Sequence, residues 1–155
     1  MAAALLLART VKASDRSPKL ITSLVIGLAA VSLVRLAMPL ERDDSATYPA
    51  SAVSHLPAEL RSQPVFNSYS FGGPLILNGI RPYIDGRADM YGDEFTTDHN
   101  AIIMGDKGRF NRAVDRFGIR WTILQTGSPL IAVLDRDPQW RRVYADRWAV
   151  MHERR

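Results

Sequence analysis

The chain of 155 residues contains no cysteine, which rules out disulfides, thiolate zinc sites and cysteine nucleophiles. That absence selects no compartment, because exported domains also do without cysteine. Acidic residues are scarce at one end. Of the 16 Asp and Glu only Asp15 falls in the first 40 positions, against the basic Arg9, Lys12, Arg16, Lys19 and Arg35. From Glu41 onward 15 basic and 15 acidic residues cancel, so the net charge of +4 belongs to the N-terminal part. A neutral remainder lacks the electrostatic footprint of a nucleic-acid binder, and no nucleic-acid partner is expected. There is no internal repeat, no low-complexity tract, no G-x-S-x-G nucleophile elbow and no EF-hand spacing. His55, His99 and His152 lack metal-ligand spacing and a neighbouring nucleophile, and are expected to be ordinary surface or half-buried residues. No metal and no cofactor is expected.

What the chain does have is a long apolar run. Leu20 to Leu40, LITSLVIGLAAVSLVRLAMPL, carries a single charge, and a helix of that length just crosses a hydrocarbon core of about 30 Å. Arg35 lies near its end, where the long side chain can snorkel to the interface. The run reads as a membrane span, the alternatives being a buried core helix or an uncleaved signal sequence; no small-x-small cleavage site follows it cleanly. Basic residues before the run and Glu41, Asp43 and Asp44 after it orient the N-terminus to the cytoplasm. The expected organisation is therefore residues 1–19 as a cytoplasmic basic segment or the end of a preceding span, 20–40 as a transmembrane helix, 41–49 as a linker and 50–155 as an extracytoplasmic α/β domain.

Within that domain, Val53, Leu56 and Leu60 have helical spacing interrupted by Pro57. Residues 95–104 are weakly helical, and Phe110, Val114 and Phe117 mark one face of a helix over 109–117 that Gly118 stops. Ile119 to Gln125 is the clearest strand, rich in β-branched and aromatic residues. Ser128 and Pro129 open a short helix, as N-cap and first residue. Residues 140–144 and 148–152 form a closing hairpin, with Trp121, Trp140 and Trp148 expected in the core and Arg141 and Arg142 on a solvated edge. The fold class expected is a small α/β sandwich with a mixed sheet.

The stretch from Gln63 to Glu94 holds five of the ten glycines and three of the nine prolines, so its backbone makes several turns that other residues resist. Val65-Phe66 and Tyr83-Ile84 read as short buried strands, each leading into polar residues, the position where an α/β fold places a site. Phe71-Gly72-Gly73-Pro74 reads as a tight turn opening a short helix. Asp85, Asp89 and Asp93 recur every four residues, which admits either a hard cation or a solvated turn and helix N-cap in which Asp85 pairs with Arg87; the second reading is preferred. Gly72-Gly73 before a helix admits an anion at backbone N–H groups or a plain turn, and again the plain turn is preferred.

The segments Phe66-Asn67-Ser68-Tyr69, Phe71-Gly72-Gly73, Leu75-Ile76 and Ile84-Asp85-Gly86-Arg87-Ala88-Asp89-Met90-Tyr91-Gly92 resemble the C-terminal extracytoplasmic domain of a group of bacterial multi-span membrane proteins. Those proteins are similar to GT-C glycosyltransferases, which take sugars from polyprenyl-phosphate donors. The likeness extends over Phe117 to Leu124 and Trp140 to Val150, and so over most of residues 50–155. A looser likeness joins Ser68 to Ile76 with the Trp-Trp-Asp-Tyr-Gly segment of oligosaccharyltransferase catalytic subunits, with Phe71-Gly72 at the Tyr-Gly and Ser68, Tyr69 and Ser70 in place of the tryptophans and aspartate. The resemblance implies a last span plus terminal domain in the bacterial inner membrane, residues 41–155 being periplasmic, with the catalytic acid in an upstream loop between spans. It implies a binding surface made of Tyr69, Gly72, Gly73, Asp85, Arg87, Asp89 and Tyr91, facing a membrane-embedded active site. The implied partners are membrane lipid, upstream spans, and a polyprenyl-phosphate sugar or an acceptor, with no catalytic residue in this chain. The alternative is a non-enzymatic single-span envelope protein whose exported domain binds a partner.

Overall fold

The computed structural model describes residues 18–38 and 43–155. Helix α1, Pro18–Ala37, has its described side chains, from Ile21 on, exposed, and most are apolar, Thr22, Ser23, Ser32 and Arg35 being the polar ones. Among the described residues no helix is long and apolar enough to cross a membrane. The span expected over 20–40 is therefore not carried by them. The helix ends at Ala37, and Pro39 accounts for the stop, because the residue before a proline is pushed out of the helical region. Pro39 to Arg42 lie outside the described residues, as does the basic segment up to residue 17.

Residues 43–155 form a mixed α/β unit around a four-stranded sheet of order β1-β2-β4-β3. The strands are β1 Val65–Asn67, β2 Trp121–Gln125, β3 Trp140–Ala145 and β4 Ala149–Arg154. β1 runs parallel to β2, while β2 and β3 are both antiparallel to β4. Alternation along the strands sends side chains to two cores. Val65, Trp121, Ile123, Ala149 and Met151 pack with Ala52, Val53, Leu56, Phe71 and Leu75 on one side. Phe66, Leu124 and Trp140 pack with Ile102, Phe110, Val114, Leu130 and Leu134 on the other. Covering both faces explains why β1 and most of β2 read as continuous apolar runs. Each such side chain taken fully out of water contributes about 1.5–3 kcal/mol.

The helices of this unit are α2 Ala50–Ser54, α3 Gly72–Leu77, α4 Ala88–Tyr91, α5 Asp93–Ile103, α6 Lys107–Phe117 and α7 Pro129–Asp135. Short 3-10 turns occupy Ala58–Leu60, after Pro57, and Tyr69–Phe71. α6 has the amphipathic face the spacing predicts. Asp106 caps it by accepting from the Arg109 N–H at 2.9 Å, and Gly118 closes it at φ 64°, a left-handed turn that suits glycine. Ser128 stands at the N-cap of α7, but its hydroxyl donates to the Ile103 carbonyl at 3.0 Å and so ties α7 to the end of α5. In the segment expected as a linker, Ser45 and Tyr48 close a tight turn and Asp44 accepts from the Ser51 N–H at 2.8 Å.

Three expectations are corrected. Tyr83-Ile84 is not a strand, for a reason given below. Trp148 is only half-buried and precedes β4, with the Arg147 guanidinium 4.7 Å over its ring, while Trp121 and Trp140 are core. His99 and His152 are fully buried, leaving His55 alone on the surface.

Candidate functional site

β1 is an edge strand, and the residue that ends it organises what lies beside it. The buried Asn67 carboxamide accepts from the Tyr83 N–H at 2.8 Å and donates to the Ile84 carbonyl and the Ser68 carbonyl, both at 2.9 Å. One side chain thereby engages the backbone groups that a neighbouring strand would have used. This is why Tyr83-Ile84 runs alongside β1 without joining the sheet. Two residues later the chain reaches Asp85, whose Cα and Cβ lie directly against Gly72 at the start of α3.

Asp85 is buried at 2% exposure, yet its carboxylate is fully used. It accepts from the Arg87 backbone N–H at 3.0 Å, from Nε of the same residue at 3.0 Å and from its terminal guanidinium nitrogen at 2.5 Å. The Tyr91 hydroxyl bonds it as well. The Arg87 guanidinium, prevailing over burial, holds the Asp85 carboxyl down to about 2. Burial, and then the bond to Asp85, push the Tyr91 hydroxyl up. Asp85 is thus a fixed anion at neutral pH with no proton to give and no free lone pair aimed at a substrate. Arg87, 60% exposed, presents its outer edge to solvent. With Tyr91, Ile76 and Pro82 the pair lines a depression of about 440 Å³.

Of the seven residues the resemblance marks, the structure brings Asp85, Arg87 and Tyr91 together and seats Gly72 directly behind them. Tyr69 is exposed and Gly73 has open space around it, and neither lines the depression; nor does Asp89, on the exposed side of α4. Among the described residues no group of three or more His, Asp or Glu side chains converges as metal ligands would. Asp85 is committed to Arg87, so the four-residue recurrence of carboxylates assembles no cation site. No known family model matches the chain, and no curated protein matches it.

The site is bordered by rings that sequence reasoning left unconnected. Tyr91 stacks on Phe95 at 5.3 Å, Phe95 on Tyr83 at 4.8 Å, and Phe117 stands edge-on to Tyr83 at 5.2 Å. Tyr91, Phe95 and His99 recur every four residues, the spacing of one helical face, which was the available signal. Gly92 interrupts the helix between α4 and α5, so the pattern crosses a break. His99 continues the stack against Phe66 at 5.3 Å and donates from Nε2 to the Asn67 carbonyl at 2.9 Å, which joins the ring series to the residue that holds Tyr83. Burial lowers the His99 pKa, keeping the ring neutral, and lifts Tyr83 to about 12 with help from Asp98.

On the far side of the sheet edge, His152 donates from Nε2 to Asp135 at 3.0 Å, and Arg142 holds the same carboxylate. Burial lowers the His152 pKa; it opposes ionisation of Asp135 too, but the bonds from Arg142 and His152 prevail there and hold that carboxyl low. The group braces α7 against the hairpin.

Proposed function

We propose that residues 43–155 are a non-catalytic binding module of a GT-C-like, polyprenyl-phosphate-dependent glycosyltransferase, assisting in holding acceptor or donor on the extracytoplasmic side of the bacterial inner membrane. The observation that carries this reading is the Asp85-Arg87-Tyr91 group. It offers a cation and a hydroxyl beside a depression of ligand size, while the one carboxylate there is ionised and occupied. Such a group binds and positions; it has no general acid or base at neutral pH. Helix α1 is the proposed anchor, supported by its exposed apolar side chains and by the basic residues that precede it in the sequence.

The test is the full chain reconstituted in lipid nanodiscs and titrated with a polyprenyl-phosphate sugar. Saturable binding, weakened by Arg87→Gln and by Tyr91→Phe, with no sugar transferred by the chain alone, is expected. Transfer by the chain alone, or binding indifferent to both substitutions, would contradict the reading.

A further inference from the structure

A second cavity, larger than the depression at Asp85, shares a wall with it. Gly79, Arg81 and Pro82 line both. This cleft holds about 530 Å³, and its interior is formed by Val65, Tyr83, Phe95, Phe117 and Ile119. Its size and apolar, partly aromatic walls are those of a small-molecule site. The rings are fixed before any ligand arrives. Tyr83 is held through its backbone by Asn67 and clamped between Phe66 and Phe95, and Phe117 stands perpendicular to both Tyr83 and Phe95. Phe117 is nevertheless 39% exposed, an apolar ring left partly open at the cleft.

The charge of the lining is one-sided. Two arginines, Arg61 and Arg81, reach it and no carboxylate does. Arg61 donates to the Val53 carbonyl at 3.1 Å, which holds its guanidinium in place. Arg81 is exposed, and no described carboxylate forms an ion pair with it. In the neighbouring depression the only acidic lining residue is Asp85, already taken by Arg87. An anion entering the cleft therefore meets cations without displacing a bound carboxylate, and an apolar body behind it finds ring and aliphatic walls.

We propose that this cleft is a binding site for a small organic anion with a ring-bearing apolar body, the apolar part lying against Phe117, Phe95 and Tyr83 and the anionic group meeting Arg81. The site goes beyond the glycosyltransferase reading and does not depend on it. That reading is tested at Arg87 and Tyr91, and this one at Arg81, so either can fail alone.

The probes are three naphthalenes of the same ring body: 2-naphthoate, 2-naphthylmethanol and 2-naphthylmethylammonium. They are titrated into the full chain in nanodiscs, with empty nanodiscs as the reference for partition into lipid, and followed by calorimetry and by ring-proton shifts of Tyr83 and Phe117. Naphthoate is expected to bind most tightly and the ammonium most weakly. Arg81→Gln is expected to weaken naphthoate about tenfold, the scale of one charge-assisted hydrogen bond, and to leave the alcohol unchanged. Arg81 is exposed, so the substitution leaves the core intact, and an unchanged melting temperature verifies this. Arg120→Gln, outside the cleft lining, leaves all three affinities as they were. Equal affinity for the three probes, naphthoate binding indifferent to Arg81→Gln, or no saturable binding at millimolar concentration would overturn the proposal.

Discussion

Gly72 and Asp85 lie back to back: a methyl group built on Gly72 would stand 2.5 Å from the Asp85 Cα and 2.6 Å from its Cβ, and would also meet the Ile84 carbonyl oxygen. No side-chain rotation relieves that clash, because the atoms it meets are backbone or bonded directly to it. Gly72→Ala is expected to destabilise the domain by about 1–3 kcal/mol, the range for overpacking a filled core, and to displace the Asp85 loop. Gly73, one residue on in the same helix, has nothing within 4 Å of its notional Cβ. Gly73→Ala is expected to be neutral or to stabilise by about 0.5–1 kcal/mol, since alanine is the better helix former. Urea unfolding of the two variants side by side measures the difference, and equal effects would mean that the contact at Gly72 relaxes freely.

The Asn67 side chain ties the sheet edge to the site by hydrogen bonds. Asn67→Asp keeps an acceptor for the Tyr83 N–H but cannot donate to the carbonyls of Ser68 and Ile84. Each buried group left without a partner costs about 1–3 kcal/mol, so Asn67→Asp should destabilise clearly even though the two residues have nearly the same shape. Amide exchange at Tyr83 and Ile84 should accelerate before that of the β2–β4 ladder. Exchange that quickens uniformly would place the link elsewhere.

Acid should unfold the domain in two stages. His99 and His152 have folded pKa values lowered by burial, so the unfolded chain takes up their protons first, and the stability they contribute declines as the pH falls below about 6.5. Asp85 has its folded pKa lowered to about 2 from 3.8, so its contribution is full above the unfolded value and is lost between about 4 and 2. Urea midpoints measured from pH 8 to pH 3 test this. The double variant His99→Gln with His152→Gln should flatten the upper stage, and Asp85→Asn should reduce the lower one, which Asp106, Asp135, Asp137 and Asp146 share.

The hydroxyl of Tyr91 contributes to the site without supporting the core. Tyr91→Phe removes its bond to Asp85 while the ring keeps its stack on Phe95. Stability should fall by no more than about 1 kcal/mol, a typical net hydrogen bond, and the acid stage assigned to Asp85 should move to higher pH because the carboxylate loses a donor. An unchanged acid stage would mean that Arg87 alone sets the Asp85 titration.

The mixed sheet, the hairpin and the capped helix α6 were legible because they rest on local rules: β-branched runs, alternation, and a glycine where the chain turns left-handed. The ion pair of Asp85 with Arg87 was legible for the same reason, being two residues apart. Tyr83-Ile84 was not, because an apolar pair between turns looks like a strand whatever holds it, and here the holder is a side chain 16 residues upstream. Tyr69, Gly73 and Asp89 were grouped with the site by their place in a motif, and short helices turn them away from it. His99 and His152 were misjudged because burial of a polar ring depends on a distant acceptor, the Asn67 carbonyl in one case and Asp135 in the other.

The measurement that tests the central claim most directly is detection of the native protein in its own membranes with an antibody to residues 50–155, after an alkaline carbonate wash. The account predicts that the protein stays in the membrane pellet, with an apparent mass several times the 17.3 kDa of this chain because further spans and their catalytic loop accompany it. A band near 17.3 kDa released by carbonate would contradict it.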